Sequence, residues 1–241
     1  MENEIFFKDG KLEFFGRIFE PQIRWLNDLK KVLANPQEVK ENEPAYFMFR
    51  DLFKNPEEKE RIEKNELRFD ITVIPPRKIG NEFIKTFGHY HSFANGLTYP
   101  EVYQVLEGEA YYLLQKVKDE KEVEDVICVK AKENDIVLIL PNYGHVTINP
   151  TNKTLIMANW VYRNFKSIYE PFERMMGACY YYFEGKGWRR NPNYEKIPEL
   201  RSEKPNEWLK EFGLEKKFMY EWVKEIEKLE FLKNPSKIFK L

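Results

Sequence analysis

The alternation of apolar and polar residues divides the chain into a central part and two flanks. From residue 66 onward apolar residues recur at every second position, as in LRFDITVI at 67–74. This period predicts strands that bury one face. Further short runs of the same kind follow, and they are separated by turn sequences such as PPRKIG, KEND, PNYG and NPTNK. Seven or more closely spaced strands predict an antiparallel barrel or jelly roll.

Helical spacing appears on both flanks of the strand-rich part. PQIRWLNDLKKVL at 21–33 follows Pro21 with apolar residues three and four apart, which predicts a helix. A second helical stripe runs from Trp208 to Ile226 and is broken at Gly213. We therefore expect an N-terminal helix-and-strand extension over 1–65, a barrel over 66–170 and a mostly helical C-terminal extension over 171–241. The stripe is expected to pack on the barrel or on a second subunit.

The amino-acid composition limits the cellular compartment and the classes of partner that we expect for this protein. The 241 residues carry 39 Lys and Arg against 40 Asp and Glu, and the opposite charges are interspersed. This balance gives no reason to expect nucleic acid or an anionic membrane as a partner. The N-terminus lacks the apolar core of a signal peptide, so we expect a cytoplasmic protein. Cys128 and Cys179 are too few and too far apart for a disulfide framework, and we expect two free, buried thiols.

The three histidines of the chain fall into two short motifs. His89 and His91 lie one residue apart in GHYH, so in a strand their side chains share a face. Two neighbouring imidazoles are poorly suited to an apolar core, because each needs a hydrogen-bond partner when buried and the two rings repel each other when both are charged. Glu101 heads the next strand and His145 follows the turn PNYG. Three imidazoles and one carboxylate predict a site for one divalent ion inside the barrel.

The spacing of these ligands resembles the two motifs of the cupin jelly roll, and the surrounding sequence resembles one cupin family. ITVIPPRKIGNEFIKTFGHYH, PEVYQVLEGEAYYLLQ and LPNYGHVTINPTNKTLIMANWVY are similar to the signature of the cupin-type phosphoglucose isomerases. The resemblance covers about residues 44–170. The fold class we expect is therefore mainly β, a cupin double-stranded β-helix (jelly-roll barrel) with flanking N- and C-terminal helices.

The resemblance implies a function and a set of site residues. It implies interconversion of glucose 6-phosphate and fructose 6-phosphate by a homodimer with one ferrous or similar divalent ion. The implied metal ligands are His89, His91, Glu101 and His145. The implied contacts to sugar and phosphate are Tyr46, Thr72, Thr86, Gly88, Tyr103 and Tyr169. Glu101 is the candidate base that moves a proton between C1 and C2, and Tyr103 would orient the sugar.

Strict alternation would place Thr86 on the strand face opposite His89. Both are implied site residues, so a local bend at Gly88 is required.

The sequence also allows other functions. The family's histidine near the end of the barrel is Ser167 here, Asn142 replaces an aromatic residue, and the loop between His91 and Glu101 is longer. These differences favour another metal-cupin enzyme, such as a dioxygenase or a sugar epimerase. A metal-dependent sugar-binding cupin without turnover is a third reading. Fe²⁺ is the ion we expect first, but Mn²⁺, Ni²⁺, Zn²⁺ and Co²⁺ accept the same ligands.

Overall fold

The computed structural model describes residues 4–239, in which short strands dominate. The strands are β1 Ile5–Lys8, β2 Lys11–Phe14, β3 Arg17–Phe19, β4 Gln22–Trp25, β5 Pro44–Phe49, β6 Leu67–Ile74, β7 Lys78–Ile79, β8 Glu82–Phe83, β9 Tyr90–His91, β10 Phe93–Ala94, β11 Leu97–Thr98, β12 Glu101–Glu107, β13 Glu109–Val117, β14 Val123–Lys132, β15 Ile136–Ile139, β16 Gly144–Ile148, β17 Leu155–Tyr162, β18 Ser167–Ile168, β19 Tyr180–Phe183, β20 Gly187–Arg190 and β21 Arg201–Glu203. The α-helices are α1 Leu26–Leu29, α2 Pro56–Lys64 and α3 Glu170–Arg174. The 3₁₀ helices are Lys30–Val32, Pro36–Glu38, Glu207–Phe212, Met219–Leu232 and Pro235–Lys237.

Two sheets form the barrel walls. The larger has the strand order β15-β12-β17-β6-β5-β4, and the smaller has the order β16-β13-β14-β21. Neighbours pair antiparallel except β21, which runs parallel to β14. Isolated bridges Lys85–Ile148 and His89–His145 lay the segment before β9 along the free edge of β16. The predicted mainly-β jelly-roll fold is confirmed by this arrangement.

The larger sheet has polar cavity residues beside apolar core residues on its inner face, and it is mainly apolar on its outer face. In β6, the side chains of Arg68 and Thr72 reach the barrel cavity, whereas Phe69, Ile71 and Val73 point outward. The three outward residues are all fully buried. A sheet with an apolar outer face needs a cover, because exposed apolar surface of this size is unfavourable in water.

The C-terminal extension provides this cover. Trp160 of β17 is buried beneath it and donates its indole N–H to the carbonyl of Met219 at 2.8 Å. The Gln104 side chain donates to the carbonyl of Lys217 at 2.9 Å and accepts from the amide of Met219 at 2.8 Å. Trp222 lies in the same cluster with none of its surface exposed. None of the helices between residues 4 and 239 combines the length and apolarity that crossing a membrane requires.

The structure corrects the predicted helix over 21–33. Residues 22–25 form strand β4, and α1 begins only at Leu26. β4 pairs with β5, with Gln22 opposite Met48 and Arg24 opposite Tyr46. An available sheet edge outweighs the weak helical preference of this short segment. The C-terminal extension likewise contains strands β19, β20 and β21 before its 3₁₀ helices.

The two cysteines are free and buried, as the sequence predicts. Burial raises the pKa of the Cys128 thiol to about 12. It raises the pKa of Cys179 as well. Both thiols therefore stay protonated at neutral pH and act as apolar core groups.

Replacing Trp222 by alanine tests the covering role of the C-terminal extension. We expect Trp222→Ala to lower the free energy of unfolding by about 3–5 kcal/mol, because it leaves a large cavity over the outer sheet face. Lys224→Ala, on the exposed side of the same 3₁₀ segment, should change it by less than about 0.5 kcal/mol. Urea unfolding measures both values. Equal losses in the two variants would contradict the packing described here.

Candidate metal centre and substrate pocket

Four side chains converge inside the barrel. His89 and His91 come from the segment along β16, Glu101 is the first residue of β12, and His145 lies in β16. One ligand atom from each of these residues lies within 4.8 Å of the others. The Nε2 atoms of His89 and His91 are 3.1 Å apart. Glu101 Oε2 lies 3.3 Å from His91 Nε2 and 3.4 Å from His145 Nε2.

A carbonyl outside the cluster fixes the tautomer of His91. The Nδ1 atom of His91 is 2.7 Å from the carbonyl oxygen of Tyr99. A carbonyl only accepts hydrogen bonds, so Nδ1 donates to it, and Nε2 is the ring nitrogen that faces the cluster. Histidine ligands of metals are held in this way by an outer hydrogen bond.

Asn159 orients Glu101 in a comparable way. Its side-chain amide donates to Glu101 Oε1 at 2.7 Å, and both residues are almost fully buried. Glu101 Oε2 is buried without a hydrogen-bond partner among the described residues. An unpartnered carboxylate oxygen is costly in a buried site unless a cation meets it.

The pKa values favour the protonation states that metal binding requires. Burial lowers the pKa of His145 to about 4; nearby Glu101 opposes this shift and His91 adds to it. Burial, followed by the charges of His145 and His91, holds the pKa of His89 well below its usual value. Burial alone would raise the pKa of Glu101, but the neighbouring imidazoles of His91 and His145 leave it lowered. The histidines His89 and His145 are therefore neutral at pH 7, and Glu101 is ionised.

A divalent cation fits this donor set. Nε2 of His91 and the unpartnered oxygen of Glu101 face each other at 3.3 Å, so a cation between them would be bound by both. Ligands at about 2.1 Å from one ion and at right angles to each other are about 3.0 Å apart, close to the distances found here. Three imidazole nitrogens and one carboxylate suit first-row divalent metals. The four ligand residues named from the sequence can hold one such ion.

The candidate ligands open onto a cavity of about 330 Å³. This volume is in the range of small-molecule sites. The wall includes every residue that the resemblance implies as a sugar or phosphate contact: Tyr46, Thr72, Thr86, Gly88, Tyr103 and Tyr169. Ser167, whose backbone pairs with His91 across β18 and β9, also lies on the wall.

Gly88 provides the bend that strict strand alternation requires. Its φ of 83° lies in the left-handed region, and both Thr86 and His89 reach the cavity as a result. A Cβ at this position would lie 2.5 Å from Val146 Cγ2. Thr86 is held beside β16 because its amide donates to the carbonyl of Thr147 at 2.8 Å and its Oγ1 accepts from the Thr147 amide at 2.9 Å.

Three arginines at the pocket were not foreseen from the sequence. Arg50 and Arg68 lie on the wall. The Arg24 guanidinium lies 5.2 Å from the ring centroid of Phe87 and 5.4 Å from that of Tyr169. The position of Arg24 beside the pocket was missed because residues 21–33 were predicted to form a helix. The sequence of β6 shows one polar face. The alternation of residues alone does not show whether that face is exposed to solvent or lines a cavity.

The longer loop after His91 forms a hairpin of β10 and β11 and contributes no residue to the cavity wall. It packs on the turn before β16. The amide of Thr98 donates to Asn142 Oδ1 at 3.0 Å, and the amide of Asn142 donates to Thr98 Oγ1 at 2.6 Å. Tyr99, which follows the hairpin, supplies the carbonyl that holds His91.

Comparison with known proteins assigns the chain to a family. Residues 23–199 match the family described as glucose-6-phosphate isomerase (GPI). The chain belongs to the glucose-6-phosphate isomerase family. The glucose-6-phosphate isomerase of Thermococcus litoralis is 33% identical over 153 residues, which are 61% of this chain and 73% of that protein. That of Thermococcus gammatolerans is 34% identical over 93 residues, 39% of this chain and 44% of that protein. The predicted membership of the cupin-type phosphoglucose isomerases, and with it of an enzyme family, is confirmed.

Likeness to solved structures is more distant. The 7S globulin of Momordica charantia aligns with 62% of this chain and 34% of its own at a TM-score of 0.40 and 13% identity. An oxalate oxidase aligns with 51% of this chain and 51% of its own at a TM-score of 0.36 and 13% identity. The assignment of this chain to the isomerase family therefore depends on the sequence matches.

Replacing Gly88 by alanine tests the bend. We expect Gly88→Ala to lower the free energy of unfolding by about 2–4 kcal/mol, since positive φ and the clash with Val146 both oppose a side chain. Gly16 is the matched control, because its φ is 74° and an added Cβ would meet no atom within 4 Å. Gly16→Ala should cost about 1–2 kcal/mol. Chemical denaturation that finds the same loss in both variants would refute the close approach at Gly88.

Proposed function

We propose that this protein is a metal-dependent aldose–ketose isomerase that interconverts glucose 6-phosphate and fructose 6-phosphate. The observation that supports this most directly is that three imidazoles converge with Glu101, and that His89, Glu101 and His145 line the same cavity as the hydroxyl and amide groups of the proposed phosphate contacts. Membership of the isomerase family supports the choice of reaction. The proposed ion is Fe²⁺, held by His89, His91, Glu101 and His145, and Mn²⁺, Ni²⁺, Zn²⁺ or Co²⁺ would fit the same donors.

Glu101 is the proposed base. When bound, the ion would act as a Lewis acid toward O1 and O2 of the open-chain sugar. Asn159 holds Oε1 of Glu101 and fixes the carboxylate among the other candidate ligands, from where it would take the proton from one carbon and return it to the other. The lowered pKa of Glu101 keeps this carboxylate ionised and ready to accept a proton. A hydride shift between C1 and C2 is the rival account of the same step.

Tyr103 is proposed to orient the sugar. Its hydroxyl lies 3.4 Å from His145 Nε2, beside the ligand cluster. Burial and the neighbouring charge of Glu101 raise the pKa of Tyr103 well above its usual value. The phenol therefore keeps its proton and can donate a hydrogen bond to a sugar oxygen near the reacting carbons.

The phosphate is proposed to bind at the wall formed by Thr72, Thr86, Gly88, Tyr46 and Tyr169. The Thr86 oxygen already accepts from the Thr147 amide, so its proton is available to a phosphate oxygen. The Tyr46 hydroxyl likewise accepts from the Phe87 amide at 3.2 Å and can donate its own proton.

Arg24 would add charge to this wall. Its Nε atom is buried and has no hydrogen-bond partner among residues 4–239. A cation beside the hydroxyl donors strengthens phosphate binding.

Ser167 supports a second candidate function. It lies on the cavity wall where the family has a histidine, so one sugar contact differs. Another metal-cupin reaction, by a dioxygenase or by an epimerase of an unphosphorylated sugar or acid, is the alternative, and a non-catalytic sugar-binding cupin is the third. A homodimer and a cytoplasmic location stay predictions that sedimentation and cell fractionation can test.

Metal analysis and turnover test the proposed function together. We expect about one divalent ion per chain, turnover of glucose 6-phosphate to fructose 6-phosphate, loss of turnover after EDTA and its return with Fe²⁺. Glucose and fructose without phosphate should react far more slowly. Oxygen uptake without isomerisation would identify a dioxygenase instead. Sugar binding without any reaction in the metal-loaded protein would favour the non-catalytic reading.

Glu101→Gln separates the base from its role as a ligand. We expect kcat to fall by about 10³-fold or more, because the amide cannot accept the proton, while part of the bound metal is retained. Glu107→Gln carries the same change on the exposed end of the same strand and should keep full turnover and metal content. Steady-state kinetics with metal quantification of each preparation measures this. Unchanged turnover in Glu101→Gln would remove this residue from the proton transfer.

A further inference from the structure

A buried carboxylate holds two arginines at the pocket wall. Asp70 is fully buried, and its Oδ2 accepts from Arg50 Nη1 at 2.7 Å. Arg68 Nε lies 3.0 Å from Asp70 Oδ1 and 2.9 Å from Oδ2. The amide of Asp51 also donates to Oδ1 at 3.0 Å. Asp70 therefore fixes the position of both guanidinium groups.

Arg50, Arg68 and Asp70 form one cluster. The two arginines carry more positive charge than Asp70 neutralises and more hydrogen-bond donors than it accepts. Two guanidinium groups meet one carboxylate, which leaves a net charge of about +1 facing the cavity. Arg68 reaches Asp70 through its Nε alone, so this pair leaves the four N–H groups of its terminal nitrogens unused. Arg50 uses Nη1 for Asp70, and its Nη2 contacts only the weak acceptor Met48 Sδ at 3.2 Å. Both side chains line the cavity.

The cluster lies at the metal-ligand end of the pocket, away from the proposed phosphate wall. In the larger sheet, Arg68 and Glu101 both pair with Val161, from opposite sides. Thr72 of the phosphate wall is four residues further along β6, about 13 Å away in an extended strand. The Arg68 guanidinium also lies 5.7 Å from the ring centroid of Phe165, which in turn is 4.3 Å from the His91 ring.

From this arrangement we infer that Arg50 and Arg68, positioned by Asp70, form a second anion subsite, so that the pocket binds sugars with a phosphate at each end. This inference rests on the proposed function for the first phosphate and adds a ligand class to it. The planar guanidinium groups match the oxygens of a phosphate. A phosphate on O1 blocks the interconversion, because an esterified O1 cannot become the carbonyl oxygen of the aldose, so such a bisphosphate would occupy the pocket as an inhibitor.

Binding of two sugar alcohols tests the subsite without any turnover. Glucitol 6-phosphate and glucitol 1,6-bisphosphate differ by one phosphate, and neither has a carbonyl group. Calorimetry at fixed ionic strength on the metal-loaded protein should show the bisphosphate binding about tenfold or more tightly than the monophosphate. In Arg68→Gln this ratio of affinities should fall to about one. Arg189→Gln is the matched control, because Arg189 is exposed and neither it nor Trp188, whose carbonyl it contacts, lines the cavity. It should keep the wild-type ratio.

Several outcomes would overturn the inference. These are a ratio near one in the wild-type protein, no binding of either compound, or the same raised ratio in Arg68→Gln. If circular dichroism shows Arg68→Gln to be unfolded, Arg50→Gln is judged by the same criterion. The ratio should persist after EDTA treatment, and its loss would show that the ion, and not the arginines, binds the second phosphate.

Turnover of glucose 6-phosphate by the same wild-type preparation reports separately on the proposed function. If turnover is absent but the ratio depends on Arg68, the isomerase proposal fails and the subsite stands. If turnover is present and the ratio is near one, only the subsite fails.

Discussion

The desolvation of four polar ligands inside the barrel is the constraint from which the rest of the architecture follows. A carboxylate and three imidazoles have to stay aligned in a place with little water, and each unsatisfied atom there is costly. Tyr99 fixes the ring of His91, and Asn159 fixes one oxygen of Glu101. These outer contacts leave Nε2 of His91 and Oε2 of Glu101 directed at the same point. They hold both donors where a bound ion would need them.

The outer face of the larger sheet determines how the barrel is covered. Its inward positions hold candidate ligands, tyrosines, threonines and arginines beside apolar core residues, whereas its outward positions are mainly apolar. Without the C-terminal extension, Phe69, Ile71 and Trp160 would lose much of the apolar surface that buries them. The extension buries them and satisfies the indole of Trp160 and the amide of Gln104. The residues of the extension that the structure describes, up to 239, pack on the barrel, and none of them lines the cavity.

Sequence patterns predicted the ligand residues and the class of fold because both depend on local rules. Two-residue alternation indicates strands, and His89 and His91 lie on one face for the same reason. The bend at Gly88 also followed, since Thr86 and His89 could not otherwise share a pocket. Pairing between distant segments was not predictable in this way. Residues 22–25 form a strand because β5 offers them an edge, and Asn159 contacts Glu101 only through the register of β12 and β17.

The positions of the arginines, like the pairing of distant strands, could not be predicted from the sequence. Composition gives a chain with a net charge of −1, yet the fold gathers Arg24, Arg50 and Arg68 around one small cavity. Asp70 neutralises part of this charge, and Glu101 would offset part of the charge on a bound ion. The remaining positive charge acts at short range through a medium with less water than the surface, where it is screened least. Such a charge favours anionic sugars over neutral ones, so the arginines support the proposed phosphate requirement together with the threonines and Gly88.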